Sequence, residues 1–528
     1  MARHAPARPR AVLRRATALL LVLLLLLGAA PAAPAWAEGP PRVIPQLLDD
    51  ATAQPEATFR VIVGRVGHGD GDAADRFVTN RGHRKIKEVA GGGFVAEVAG
   101  RDIAELGRHP AVRWVTLDAA MAPTTTIDSS KLATVYNQTV NATQLWNAGY
   151  TGKGVAVAVV DTGMPNAADF HGLNSDGSLS RITAAAKFNA SARDTGDGHG
   201  HGTLVGGIVA GNSWWRTKGA GQGKYIGVAP EANLVNVKVS DDAGQAYLSD
   251  VINGIEWVIA NRQTYNIRVL NLSLLSTVAE SATTSFLDAA VERAWLNGIL
   301  VVVAAGNGGA NTALYPPAND PFVVTVGAAD PVGTTGRTDD GMAPWSSYGT
   351  TQDGYAKPDV VAPGRHMTSI MAASNTVLGR SFSGRVVDTN YIWMSGTSTA
   401  APVVAAVAAL AFQKNPNLTN DALKWLLANT ATQLGGAAPL PGQGAGLVDA
   451  AAVVNYSGTP GVANGGLPIS QQLTGPNGAT TYTTSSWSTS SWSTSSWSTS
   501  SWTTTSWTTT SWTSATPRLA PWTYVGVE

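Results

Sequence analysis

An α/β fold, with a mostly parallel central sheet and helices on both faces, is predicted for residues 128–456. Two observations predict it. The apolar runs in this zone are continuous rather than alternating, as strands buried on both faces require. Helical stretches separate those runs, which is the order that parallel strands need for their crossovers. The runs are Val155–Val160, Leu234–Val239, Val269–Leu272, Ile299–Ala304 and Val323–Val326. Between them, Ser249–Asn261 and Ser285–Asn297 read as helices, and Val403–Phe412 reads as a long apolar one.

A small α+β unit precedes this zone, over residues 38–127. Phe59–Val63, Gly93–Val98 and Val112–Val115 read as strands and Asp102–Arg108 as a short helix. The unit closes in Ala122-Pro123-Thr124-Thr125-Thr126, a linker composition. Upstream, Arg3, Arg8, Arg10, Arg14 and Arg15 lead into the apolar run Thr17–Leu27. Ala35-Trp36-Ala37 follows, so residues 1–37 read as a signal peptide cleaved before Glu38. The apolar run is shorter than the ~20 residues a membrane span needs. Residues 457–528 read as a low-complexity Ser/Thr/Trp-rich tail. Trp487, Trp492, Trp497, Trp502, Trp507 and Trp512 recur every five residues, a period of neither strand nor helix.

Composition removes several function classes. Lys+Arg and Asp+Glu are both 36, so there is no basic surplus to neutralise nucleic-acid phosphates. Cysteine is absent, which excludes disulfides, thiolate metal sites and a cysteine nucleophile. Charged residues make up 14% of the chain, against ~25% in average soluble proteins, which points to a well-buried sheet.

Four segments sit where a predicted strand ends or a helix begins, the place where open α/β sheets build sites. Asp161 in Val160-Asp161-Thr162-Gly163 directly follows a buried strand. Alone, it could simply cap a loop. His201 in Gly200-His201-Gly202-Thr203 opens a small-residue helix, and the flanking glycines allow close backbone approach. His199 makes a His-x-His pair with it, but no third metal ligand has convincing spacing. Asn307 in Ala305-Gly306-Asn307-Gly308 is a turn former whose amide could also donate to a developing oxyanion. Ser398 in Ser395-Gly396-Thr397-Ser398-Thr399-Ala400-Ala401-Pro402 stands at a helix N-terminus, with Pro402 expected in the first turn. There it either caps the helix or uses the free N–H groups, which favour negative charge.

In the order Asp, His, Asn, Ser, the four together resemble the subtilisin-like serine peptidases, the subtilase family. Lys357-Pro358-Asp359-Val360-Val361-Ala362-Pro363-Gly364, Gly227-Val228-Ala229-Pro230 and Gly444-Ala445-Gly446-Leu447-Val448-Asp449-Ala450 extend the resemblance over about residues 128–456. It implies a secreted serine endopeptidase made as a self-processing proenzyme. Residues 58–120 resemble the family's propeptide, which acts as an intramolecular inhibitor. The resemblance implies that Asp161 orients His201, His201 takes the proton of Ser398, and Asn307 with the Ser398 N–H binds the oxyanion. It further implies substrate binding by Ser273 and Leu274 on one side of a cleft and Gly244-Gln245-Ala246 on the other. Polypeptides are the implied substrates, and the chemistry requires no cofactor. Structural calcium is compatible with the family, but no calcium-binding run is identifiable; Asp169, Asp176, Asp194 and Asp197 are merely concentrated in one region.

The chain departs from the family pattern at Leu204, Gly206 and Thr399, none of which carries the proton transfer, and at Leu275, where the usual residue is glycine. Arg365–Met394 is longer than in compact members. The alternative to an active enzyme is a catalytically silent surface-binding protein on the same fold. A serine esterase is disfavoured by chain order and by the lack of a Gly-x-Ser-x-Gly elbow. Tryptophan faces stack on sugar rings, so the tail is expected either to bind polysaccharide or cell envelope or to serve as a spacer.

Overall fold

The structure, a computed structural model, describes residues 42–474 apart from 67–70, 90–91, 119–126, 173–179, 216–220 and 437. The expected signal segment, Pro123 and its neighbours in the linker, Asp176 and the tryptophan repeat lie outside the described residues. Among the described residues, no helix is long and apolar enough to cross a membrane. The chain divides into two units, Met1–Pro123 and Thr124–Glu528.

The first unit contains α1 (Pro45–Ala53), β1 (Thr58–Arg65), α2 (Gly71–Asn80), β2 (Arg84–Val89), β3 (Gly93–Ala99), α3 (Gly100–Arg108) and β4 (Val112–Leu117). Its four strands form an antiparallel sheet in the order β2-β3-β1-β4. Val61 and Val63 of β1 alternate with outward residues, and they bury with Phe94, Val98, Ile103 and Leu106 in one core. The sequence reading missed α1, α2 and β2. In β2, Arg84-Lys85-Ile86-Lys87-Glu88-Val89, charge hides an edge strand, and charge on an edge is a common guard against pairing with other chains.

The second unit is built on an eight-stranded sheet. Its strands are β5 (Ala156–Asp161), β6 (Ile182–Lys187), β7 (Asn233–Lys238), β8 (Ile267–Leu272), β9 (Leu300–Ala304), β10 (Val324–Asp330), β11 (Gly341–Met342) and β12 (Val360–Pro363). The order β10-β9-β8-β5-β7-β6 is parallel throughout, β12 adds in parallel to β10, and only β11 is antiparallel. Every residue of β5, β8 and β9 is buried, which is why their sequences are mostly apolar; the exceptions Asp161, Arg268 and Asn271 are each hydrogen-bonded within the protein. The α/β class, with its mostly parallel sheet, is therefore the one expected. The helices that matter below are α4 (His201–Ala210), α5 (Leu248–Asn261), α6 (Phe286–Leu296), α7 (Val377–Ser381), α8 (Thr397–Lys414) and α9 (Asn420–Asn429). Helix α8 is buried from Thr397 to Phe412 and lies against β8, β9 and β10.

Two expectations need correction. Pro402 is not in the first turn of its helix: α8 starts at Thr397, so the proline falls in the second turn. Side-chain hydrogen bonds from outside extend the helix backwards past the point that proline suggested, as described below. Second, the tail does not begin at 457. Residues 457–474 form a strap across the second unit. The N–H groups of Ala463 and Asn464 donate to Asp421 of α9 at 3.1 and 2.9 Å. Lys424 donates to the Asn464 side-chain oxygen at 3.1 Å, and Asn464 Nδ2 donates to the Phe322 carbonyl at 2.8 Å. Ser470 N–H donates to Glu292 of α6 at 2.7 Å, and Leu473 buries against Ala289 and Leu296. Backbone groups and the uncharged side chains of Asn464, Ser470 and Gln472 hold the strap, so a charge-free composition did not betray it.

Asp288 is fully buried in α6. Burial first, and then the nearby Asp320, push its carboxyl well above the carboxylate range. In the unfolded chain it ionises near ~4. A raised folded pKa means that stability is fullest below about pH 4 and falls as pH climbs toward the folded value. Asp288→Asn removes that loss. Thermal denaturation should show the variant matching wild type near pH 4 and melting higher near pH 8. Equal shifts at both pH values would mean that Asp288 is charged in the fold.

Candidate active site

Parallel strands all end on one edge of a sheet. Along that edge the order β9-β8-β5-β7 sets Asn307 after β9, Ser273 after β8, Asp161 at the end of β5 and Gly244 after β7. Helices α4 and α8 begin with His201 and with Thr397-Ser398.

Asp161 and His201 meet directly. The ring Nδ1 lies 2.8 Å from Asp161 Oδ1 and 3.1 Å from Oδ2, and both side chains are almost fully buried. The Thr162 N–H also donates to Asp161 Oδ1 at 2.7 Å, which fixes the carboxylate plane. The close approach requires Gly202: a Cβ there would stand 2.4 Å from the Gly163 carbonyl and 3.2 Å from Asp161 Oδ1. Asp197 organises the start of α4. It accepts from Thr162 Oγ1 at 2.8 Å, from Gly200 N at 2.6 Å, and from Thr203 N and Oγ1 at 2.8 and 2.6 Å. Burial raises its pKa, and those four donors oppose the shift. Neighbouring His199 is pushed down to about 3, by burial and then by His201, so it is neutral at ordinary pH.

Ser398 is the second residue of α8 and 1% exposed. Its N–H falls in the first turn, where a helix has no acceptor of its own to offer. Three elements hold that turn. Asn307 Oδ1 receives the Thr397 N–H at 2.9 Å and the Thr397 hydroxyl at 3.1 Å. Two donors on one atom identify it as the oxygen, so the Asn307 NH₂ end is turned away from Thr397. The Thr397 hydroxyl in turn accepts from Gly306 N at 3.0 Å. Thr399 Oγ1 donates to the Gly364 carbonyl, and Ser273 Oγ donates to the Ser398 carbonyl at 2.9 Å. Asn307 is thus tied to the start of α8, one residue before Ser398.

Ser273 and Leu274 are buried, at 1% and 3% exposure. The Ser273 hydroxyl is turned into the protein, so any part it plays in holding a peptide falls to its backbone. Gly244 adopts φ +90° in a tight turn that closes with Gln245 O accepting from Asp241 N. Leu275 packs over Gly306, where a Cβ would lie 2.8 Å from its Cδ1. Helix α7 braces the loop before His201, as Val377 N and Leu378 N donate to the Gly198 and His199 carbonyls at 3.1 and 2.9 Å. The acidic residues weighed for calcium have separate tasks: Asp169 accepts the Tyr391 hydroxyl, and Asp194 accepts Gly196 N. Among the described residues, no group of three or more His, Asp or Glu has the geometry of a metal site. Sequence reasoning missed the roles of Thr397 and Asp197 and the direction of the Ser273 hydroxyl. Pro402, four residues after Ser398, was a readable signal of a helix carbonyl in need of another donor.

Residues 152–446 match the model of the subtilase family. This chain belongs to the subtilase family. As a subtilase, it is a subtilisin-like serine endopeptidase, a hydrolase. It is 38% identical over 285 residues to serine protease AprX of Bacillus subtilis, covering 53% of this chain and 61% of that one. It is 34% identical over 356 residues to alkaline elastase YaB of a Bacillus species, covering 67% and 78%. With subtilisin BL of Lederbergia lenta the identity is 36% over 296 residues, covering 56% and 90%.

Proposed function

We propose that this subtilase is secreted, that it hydrolyses polypeptides through Asp161, His201 and Ser398, and that it is made as a self-processing proenzyme. The observation that carries the triad is the buried His201–Asp161 pair with its 2.8 Å hydrogen bond. Asp161 fixes the tautomer that leaves Nε2 to act as base, and it stabilises the imidazolium once formed. His201 takes the Ser398 hydroxyl proton as Oγ attacks the scissile carbonyl. The oxyanion settles between Asn307 Nδ2 and Ser398 N–H. His201 then returns the proton to the leaving amine, and water repeats the sequence to release the acyl group.

The substrate lies as an extended strand between residues 273–274 and 244–246. Residues 1–37 direct export, and 38–127 serve as the temporary inhibitor. The basic segment ahead of the apolar run Thr17–Leu27, followed by Ala35-Trp36-Ala37, supports an extracellular role.

A fluorophosphonate probe tests the reading, because only an activated serine reacts. Wild type should be labelled at Ser398, identified by peptide mapping. Asn307→Ala should remain labelled, yet its turnover should fall by about 10²–10³, the loss typical of one oxyanion donor. Folded wild type that resists the probe would leave the silent binding protein as the better account.

A further inference from the structure

We propose that Ser273 is a positioning residue: its hydroxyl supplies the hydrogen bond that Pro402 withholds from the Ser398 carbonyl, and so fixes the helix start that carries the nucleophile. The proposal rests on Ser398 being that nucleophile.

In an α-helix each carbonyl accepts from the N–H four residues later. For Ser398 that residue is Pro402, which has no N–H and whose ring crowds the same carbonyl. The carbonyl belongs to a residue only 1% exposed, so solvent is a poor substitute. Ser273 Oγ lies 2.9 Å from it. The same Oγ receives Asn271 Nδ2 at 3.0 Å. A hydroxyl has one proton, and with Asn271 donating to the oxygen that proton is directed to Ser398. Asn271 and Ser273 are themselves 0% and 1% exposed.

The relay therefore runs from the end of β8, next to the strand bearing Asp161, into the peptide unit that follows the Ser398 α-carbon. That peptide unit and the Thr397 side of the residue, held by Asn307, together fix the backbone on both sides of Ser398. Its Oγ and its N–H are thus registered to the sheet. Misplacement of a reacting group by about 1 Å can cost about 10²-fold in rate.

The test uses the repair that the geometry allows. Replacing Pro402 with alanine restores an N–H four residues after Ser398, so the need for Ser273 should vanish. Turnover and KM are measured on a chromogenic peptide, using protein whose N-terminus is checked by mass spectrometry. Ser273→Ala should lower kcat by about 10- to 10²-fold and leave KM within about twofold. Ser273→Ala/Pro402→Ala should recover kcat to within about threefold of Pro402→Ala alone.

A double variant as impaired as Ser273→Ala would overturn the proposal. So would a raised KM with kcat unchanged, because that is the signature of a substrate contact. If Ser273→Ala fails to fold, the same pairing requires that the double variant fold and cleave; failure of both also overturns it. Loss of the nucleophile assignment is separable, because it shows as absent fluorophosphonate labelling of the wild type rather than as a failed rescue.

Discussion

Ser398→Ala is expected to abolish peptide hydrolysis while the fold survives. The change removes one oxygen from a residue whose backbone is held by others. Asn307 grips the preceding Thr397, Ser273 grips the Ser398 carbonyl, and Thr399 grips Gly364. None of these contacts uses Ser398 Oγ. Removing the nucleophile of such a triad lowers turnover by about 10⁶. The residue also decides maturation. Expressed in a protease-free host, wild type should acquire a new N-terminus between about Ala119 and Asp128, and Ser398→Ala should keep the residues before it. Turnover of the folded variant on a chromogenic peptide, its melting temperature and its N-terminal mass check the three parts. Wild-type turnover would remove the triad assignment. Cleavage of the variant at the same bond would remove self-processing alone.

How far the sequence could be read depended on what holds each part. Strands β5, β8 and β9 were legible because both of their faces are buried, so apolar residues fill them except at Asp161, Arg268 and Asn271. Strand β6, Ile182-Thr183-Ala184-Ala185-Ala186-Lys187, was not read as a strand. It lies at the sheet edge with alternate residues exposed, and three alanines favour no strand. In the site, Asp161, His201, Asn307 and Ser398 were readable because chain order and glycine flanks mark them. Thr397 and Asp197 were not, because their work is hydrogen bonding between segments far apart in the chain. Thr162 meets Asp197 across 35 residues, and Thr397 meets Asn307 across 90. Ser273 shows the limit of a positional argument. It was placed at the substrate rim, and it does follow β8 beside the nucleophile, but its hydroxyl faces the other way.

The second large effect concerns where the enzyme can be cut short. A chain ending at Tyr456 should lose stability severely, whereas one ending at Thr474 should retain turnover on small peptides. The tryptophan repeat and the 457–474 strap share an uncharged composition, yet the strap fills specific vacancies in the second unit. Its loss would strip Asp421 of two N–H donors, Lys424 of one acceptor and the Phe322 carbonyl of Asn464 Nδ2. Each hydrogen bond lost costs about 0.5–1.5 kcal/mol, or about 1.5–3 kcal/mol where a charged group makes it. Uncovering Ala289 and Leu296 by losing Leu473, itself worth about 1.5–3 kcal/mol of burial, adds to that. Together these losses rival the whole folding margin of about 5–15 kcal/mol. Thermal melts and peptide turnover of chains ending at Tyr456, at Thr474 and at the full length separate the two regions. A Tyr456-ended protein that melts with the full-length one would show that the strap contributes no stability. Retention on cell-wall material, measured on the same three proteins, should fall between the full-length chain and the Thr474-ended one if the tryptophans bind a polymer. If retention is equal, the repeat is a spacer.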